Sequence, residues 1–552
     1  MYQKRIKTPV ETIEFITELL AKNNIDWQVI EKRNFENVFY SIRIELSKFP
    51  GIGANGKGVS EELAMASGLA ELMERLQSGI LLGNRFGIYR FDNKRPGENI
   101  SNENNPLLES YCLYENIATG EKRHLNDRKI NIQCQSNGVA AGNIREEAII
   151  QGCCEIFERY AIGEIFNKNT RCPLLNNEII SDASLKKYIS IFENNGYKVH
   201  IFDATLRNRV PVLMVMLVDV KNGTYNYSFG SAISFEGALE RCFSEIVQGC
   251  DQENFKNAFK HFELDNNQLS IGNSKIYRTA DALYPICFTW VTTSEISKKI
   301  PTVFSKTDVF NDEYKKLLQI LKRNHFECFV KNFSYLGFPT YRTYIQGCTE
   351  LHYLTDEELS IINDFDNIAK KIMKLPQMED AELRKLVEEL IYINQKEFIK
   401  SSKIKTAIFR IIADQKVDLC EVNVTYLIMS ILMKLHDWNN AKIYHFNLLN
   451  EYSYLKGNEL FLGIGIYIEE MILGMSLKRI YGSNKRVLSD NTNDYLYMTF
   501  EKDDYLNMIY YPTCPSCNEC KFKKSCKFNE WIKTRKKMFF KERDYEKNTY
   551  CH

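Results

Sequence analysis

Two stretches of this chain spell nearly the same helix. Gly58, Ala64, Glu71, Glu74 and Arg75 of the first recur in register as Gly142, Ala148, Glu155, Glu158 and Arg159 of the second. A looser third copy, Ala238–Gln248, keeps Glu245 and Gln248. In each copy the polar residues stand three and four apart. At about 100° per residue this puts Ser67, Glu71 and Glu74 on one face, and Glu147, Gln151, Glu155 and Glu158 in a single stripe. Like charges stacked in this way destabilise a bare helix. Something positive must lie against them.

At 552 residues the chain exceeds what one hydrophobic core holds, so more than one domain is expected. With 72 basic and 71 acidic residues the net charge is +1, which gives no global case for nucleic-acid or membrane attraction. The start, Met1–Thr12, lacks the apolar core of a signal peptide, and no apolar run of about eighteen residues marks a membrane span. The expected location is the cytoplasm. There the sixteen cysteines are expected as reduced thiols or metal ligands rather than disulfides.

Residues 9–23 have helical periodicity with Pro9 in the first turn. Alternating apolar residues over Asn37–Leu46 predict a strand, followed by a glycine-rich turn that feeds the first repeat helix. Val199–Asp203, Val210–Val218 and Thr340–Ile345 also read as strands, the second buried on both faces. Strands interleaved with helices indicate an α/β (α+β) catalytic domain over residues 1–350. From Thr355–Glu358, which has capping-box spacing, the segments become helix-periodic, predicting an all-helical domain over 351–505. Ala441 hints at a tetratricopeptide-like helix pair, although an ordinary helical bundle suits the segment better. Residues 506–552 form a cysteine-rich tail.

Gly51–Gly58 has the spacing of a phosphate-binding loop, Gly-x4-Gly-Lys, but Gly58 stands where that loop needs a magnesium-binding hydroxyl. A glycine-rich turn at a helix N-terminus still suits an anion, with Lys57 as a point charge. The competing reading is a tight turn with a solvated lysine. The carboxylate stripes carry more information. Their helices are otherwise small and apolar (Ala64, Leu69, Ala70; Ala148, Ile149, Phe157), so these glutamates face packed surroundings. Buried carboxylates must pair or bind metal, and several glutamate oxygens are the hard ligands that magnesium takes. The competing reading is a solvated helix face; the favoured one has glutamates from two helices holding magnesium ions that bridge nucleotide phosphates.

Ser67-x3-Glu71-x2-Glu74-Arg75, then Ser136-Asn137-Gly138 and Gly142-Asn143 leading into Glu147-x3-Gln151-x3-Glu155-x2-Glu158-Arg159, then Glu245-x2-Gln248, resemble the three nucleotide-binding motifs of the YcaO family. Order and spacing agree over roughly residues 1–350. The resemblance implies an α/β fold of antiparallel sheets and helices. It also implies ATP and magnesium as cofactors, and activation of a backbone amide oxygen by phosphorylation. Glu71, Glu74, Glu155 and Glu158 would be the catalytic centre, and together with Glu147 the magnesium ligands. Lys7, Ser67, Asn143, Gln151, Arg159, Glu245 and Gln248 would bind ATP, with Arg342 near the phosphates. The outcome would be an azoline or a thioamide in a ribosomally made peptide. The alternative is the accessory role, in β-methylthiolation of a small-subunit ribosomal protein, associated with the family's founding member. The chain lacks the proline-rich end typical of azoline-forming members. Implied partners are a peptide or protein substrate, an E1-like, sulfur-delivery or methylthiotransferase protein, and a second copy of the chain as a homodimer.

The tail holds Cys514, Cys517, Cys520 and Cys526, which is metal-ligand spacing. Zinc or an iron–sulfur cluster fits, a structural zinc knuckle somewhat better. The lysines and arginines around it read as a solvated surface.

Overall fold

The computed structural model describes residues 6–79, 111–168, 170–262, 286, 289–305, 310–351, 355, 371, 375–395, 424–451, 453–508, 537–538, 541 and 544–545. They divide into two compact units, one up to residue 351 with the residues from 537 onward, the other spanning 355–508. Cys514, Cys517, Cys520 and Cys526, and most of the Thr355–Glu358 capping box, lie outside the described residues.

The first unit carries three sheets among its described residues. One joins β1 (Trp27–Phe35), β2 (Phe39–Leu46) and β3 (Phe49–Gly58), all antiparallel. The second is antiparallel and runs β5 (Lys122–Asn126), β4 (Tyr111–Asn116), β13 (Cys328–Asn332), β14 (Thr340–Ile345), β6 (Val139–Ala141). The third runs β11 (Lys260–His261), β10 (Thr224–Ser231), β9 (Val212–Asp219), β8 (Tyr197–Asp203), β7 (Leu174–Leu175), β12 (Ile296–Ser297), with only the β7–β12 pair parallel. The helices are α1 (Pro9–Lys22), α2 (Glu61–Gln77), α3 (Asp127–Cys134), α4 (Arg145–Asn167), α5 (Ala183–Asn194), α6 (Phe235–Ile246), α7 (Thr289–Thr293) and α8 (Phe310–Arg323).

The predicted strands and the helix after Pro9 are present. Thr8 caps α1 with its hydroxyl on the Glu11 N–H, and Glu11 returns its carboxylate to the Thr8 N–H at 2.7 Å. β9 is buried on both faces, as its unbroken apolar run requires. The core lies where α4, α5 and α6 meet the six-stranded sheet.

One expectation is corrected. Gly51–Gly58 is not a turn but belongs to strand β3, paired with β2 from Tyr40↔Gly58 to Glu45↔Gly53. The glycines serve contact rather than chain reversal. A Cβ on Gly56 would stand 1.9 Å from the Ala64 carbonyl oxygen of α2, so only glycine lets helix and strand touch here.

The same unit occurs three times: β3 then α2, β6 then α4, β10 then α6. Ser60 and Ser234 cap the first and third helices with their hydroxyls, while Ile144 at the second makes no such bond. Gly230 of β10 repeats the contact of Gly56, its Cβ position being 2.5 Å from the Ala238 carbonyl oxygen. Helix α2 lies on β3 and β2, and α6 lies on β10 and β9. Helix α4 packs against strands of both larger sheets.

The second unit is helical throughout its described residues, with helices Asp380–Asn394, Val424–Lys434, Trp438–Glu451, Glu459–Ile472, Leu477–Asn484 and Asp490–Glu501. Trp438, Tyr467, Phe500 and Tyr505 form its aromatic centre. It also holds an apolar cavity of about 390 Å³ lined by Phe446, Leu449 and Leu462. Among the described residues no helix is long and apolar enough to cross a membrane.

Candidate functional site

The three helix copies bring equivalent positions together. Glu71, Glu155 and Glu245 correspond, as do Glu74, Glu158 and Gln248, and likewise Ser67, Gln151 and Arg241. Each carboxylate at the first position has a basic partner. Arg75 pairs with Glu71 on α2, one helical turn on. Arg159 pairs with Glu155 on α4, with Nε at 3.0 Å and Nη2 at 2.9 Å from the same oxygen. Glu245 pairs with Lys57, which reaches it from β3 and also donates to Gln248 Oε1 at 3.1 Å. Gln151 of α4 accepts from Arg241 of α6 at 2.6 Å. The cation demanded by the acidic stripes is thus present, and part of it comes from another copy.

These pairs do not quiet the cluster. Burial raises the Glu71 carboxyl above its ordinary value, against the pull of Arg75 and Lys57. Burial pushes Glu74 well up, and the negative charges of Glu155 and Glu71 push it further. Glu158 is raised by burial despite Arg241, Lys57 and Arg159 nearby. Burial, then the charge of Arg241, drives the Lys57 ammonium down to about 8. Carboxylates crowded and desolvated in this way are poised for a further cation. Among the described residues no three His, Cys, Asp or Glu side chains are arranged to hold a metal ion by themselves. That fits magnesium, which takes one or two carboxylates and completes its shell with phosphate oxygens and water. It does not fit an all-protein cage.

The remaining predicted residues take varied places. Glu147 is buried at the start of α4. It accepts the Ile6 N–H at 2.7 Å and the Asn143 N–H at 2.9 Å, so both oxygens already bind protein. In the copy register it matches Leu63 of α2, not a glutamate. Asn143 lies beside it and accepts from the Thr12 hydroxyl at 3.0 Å. Ser67 is half-buried, one turn before Glu71. The Lys7 ammonium sits 3.8 Å from the centre of the Phe15 ring. Arg342 is fully buried, with Nη2 on the Gln135 carbonyl at 3.0 Å and no hydrogen-bond partner for Nε and Nη1 among the described residues. Its charge draws the Glu74 carboxyl down, against the larger effect of burial. Arg241 was missed in the sequence, although the register of the third copy places it opposite Ser67 and Gln151.

The family model described as YcaO cyclodehydratase, ATP- and Mg2+-binding, matches residues 124–349. Residues 124–349 thus match a YcaO domain. The matched span holds the second and third copies, while the first copy, with Glu71 and Glu74, precedes it. The chain is 24% identical over 388 residues to the Escherichia coli ribosomal protein S12 methylthiotransferase accessory factor YcaO, covering 61% of this chain and 64% of that one. It is 25% identical over 395 residues to an uncharacterized Haemophilus influenzae protein, covering 64% and 67%. The match therefore spans about two thirds of the length of these relatives. Among solved structures it is similar to YcaO from Methanopyrus kandleri bound with AMPPCP and Mg2+, at a TM-score of 0.43 and 17% identity over 65% of this chain and 97% of that one. A heterocyclase in complex with substrate and cofactor gives a TM-score of 0.44 at 16% identity, over 63% and 53%.

Proposed function

We propose that this chain binds ATP and magnesium on the face shared by α2, α4 and α6. There it would transfer the γ-phosphoryl group to a backbone amide oxygen of a ribosomally made peptide or protein. The observation that carries this reading is the convergence of the repeat's equivalent positions, Glu71 and Glu74, Glu155 and Glu158, Glu245 and Gln248, around interleaved cations.

In this reading Glu71, Glu74, Glu155 and Glu158 hold magnesium, with Glu147 behind the N-terminal segment as a fifth candidate. Magnesium, when bound, neutralises charge on the phosphates. Arg159 and Arg75 keep two of the carboxylates in fixed orientation, since a paired carboxylate cannot swing away. Gln151, Gln248, Ser67 and Asn143 supply polar contacts to the nucleotide. Phosphoryl transfer asks mainly for positioning and charge stabilisation, which a rigid three-helix face provides. The phosphorylated amide oxygen becomes a leaving group, and a nucleophile takes its place to form an azoline or a thioamide. A partner that presents the peptide or delivers sulfur completes the system.

The similarity to the E. coli accessory factor favours a second reading, in which ATP binding serves assembly with a methylthiotransferase. Incubation of the purified protein with ATP and magnesium separates the two. Catalysis predicts release of phosphate that rises with the substrate peptide, and a peptide whose mass falls by one water or gains the difference between sulfur and oxygen. ATP bound without phosphate release in the presence of peptide overturns catalysis and favours assembly.

A further inference from the structure

The acidic face has a chemical shortage. Ionised carboxylates only accept hydrogen bonds, so they suit a metal ion but cannot bind the phosphate oxygens of a nucleotide directly. Donors must come from other side chains. Two of the polar groups in the three-copy register are primary amides, Gln151 and Gln248, and an amide can face a ligand with either its oxygen or its NH2 group.

A cation drawn from a different copy decides which. Lys57 Nζ lies 3.1 Å from Gln248 Oε1 while also pairing with Glu245. An ammonium has three donors and no acceptor, so only the amide oxygen can face it. Gln248 Nε2 makes no hydrogen bond among the described residues, which leaves its two N–H groups for a ligand. Arg241 does the same for Gln151, with Nη1 2.6 Å from its oxygen. Lys57 is itself firmly placed. It lies in β3 between Gly56 and Gly58, whose missing side chains let the strand press directly on α2.

We infer that Lys57 is a positioning residue of the nucleotide site: by taking the oxygen of Gln248 it turns the amide's N–H donors towards an anionic ligand. This rests on the ATP reading above and adds to it the direction in which Gln248 hydrogen-bonds. Lys57 accordingly acts through Gln248 and Glu245 rather than by touching the reacting atoms.

The test uses the whole chain, a non-hydrolysable ATP analogue with magnesium, and calorimetry. Lys57→Met and Gln248→Leu should each weaken binding about tenfold, ~1.4 kcal/mol. The double variant should be little worse than either alone, because both remove one device. Lys57→Arg should restore most of the loss. The discriminating variant is Gln248→Glu, which strengthens the contact with Lys57 but removes both donors. It should melt no lower than wild type without nucleotide, yet bind the analogue at least tenfold more weakly. Additive losses in the double variant, or wild-type binding by Gln248→Glu, overturn the inference while leaving the ATP reading standing. A wild-type chain that does not bind the analogue overturns both.

Discussion

The backbone N–H of Ile6 donates to Glu147 Oε1 at 2.7 Å, joining residues 141 apart in sequence. The same carboxylate takes the Asn143 N–H on its other oxygen. One buried side chain therefore ties down the N-terminal segment and satisfies a backbone donor ahead of α4, where Ile144 offers no capping side chain.

Glu147→Ala leaves these donors without their partner. Unfolding in urea should show a loss of about 1–3 kcal/mol. Hydrogen exchange at Ile6 should rise more than exchange in β9. A variant with wild-type exchange at Ile6 would show that the segment is held by other means.

Crowded carboxylates carry a cost that magnesium should relieve. In chelator, Glu74→Gln should melt about 2 °C or more above wild type, since it removes a desolvated charge next to Glu71 and Glu155. With magnesium and an ATP analogue the order should reverse, because only wild type gains a bound ligand. Differential scanning calorimetry under both conditions is decisive.

The pH dependence has a definite sign. Glu158 has a folded-state value raised above its ordinary 4.5. Between those two values the folded state holds the proton more tightly than the unfolded state, so this group's contribution is greatest below 4.5 and is lost as pH climbs through the raised value. Against Glu158→Gln, wild type should therefore fall progressively behind in melting temperature from acid towards neutral pH without magnesium. A constant gap would contradict the burial of this carboxyl.

Gly56→Ala tests the contact on which the first copy is built. With the Ala64 carbonyl 1.9 Å from the new Cβ, backbone must move, and a loss of about 3 kcal/mol or more is expected from denaturant unfolding. Gly120→Ala, whose Cβ would meet nothing within 4 Å, is the control, costing only the strain of its positive φ of 73°.

Much of the site was legible as linear pattern. Helical spacing alone put Glu71 with Glu74, and Glu155 with Glu158, on common faces. The unbroken apolar run through Val212–Leu217 announced a strand buried on both sides. The glycines of Gly51–Gly58 misled, because glycine marks close approach as readily as chain reversal, and local sequence does not show which neighbour approaches. Local pattern also could not show that Lys7 lies over the Phe15 ring or that Glu147 takes the Ile6 and Asn143 N–H groups, because these contacts depend on how the segments pack.

What the sequence determined by itself was periodic and local: three copies of one helix, acidic residues sharing a face, and the need for positive charge against each stripe. Arg75 and Arg159 meet Glu71 and Glu155 within their own helices, but the cations that cross from one copy to another were decided by tertiary structure. Lys57 reaches Glu245 and Gln248, and Arg241 reaches Gln151, only because the sheets bring three copies of one strand–helix unit face to face. Contacts across 191 and 90 residues follow from packing geometry, which no local propensity encodes.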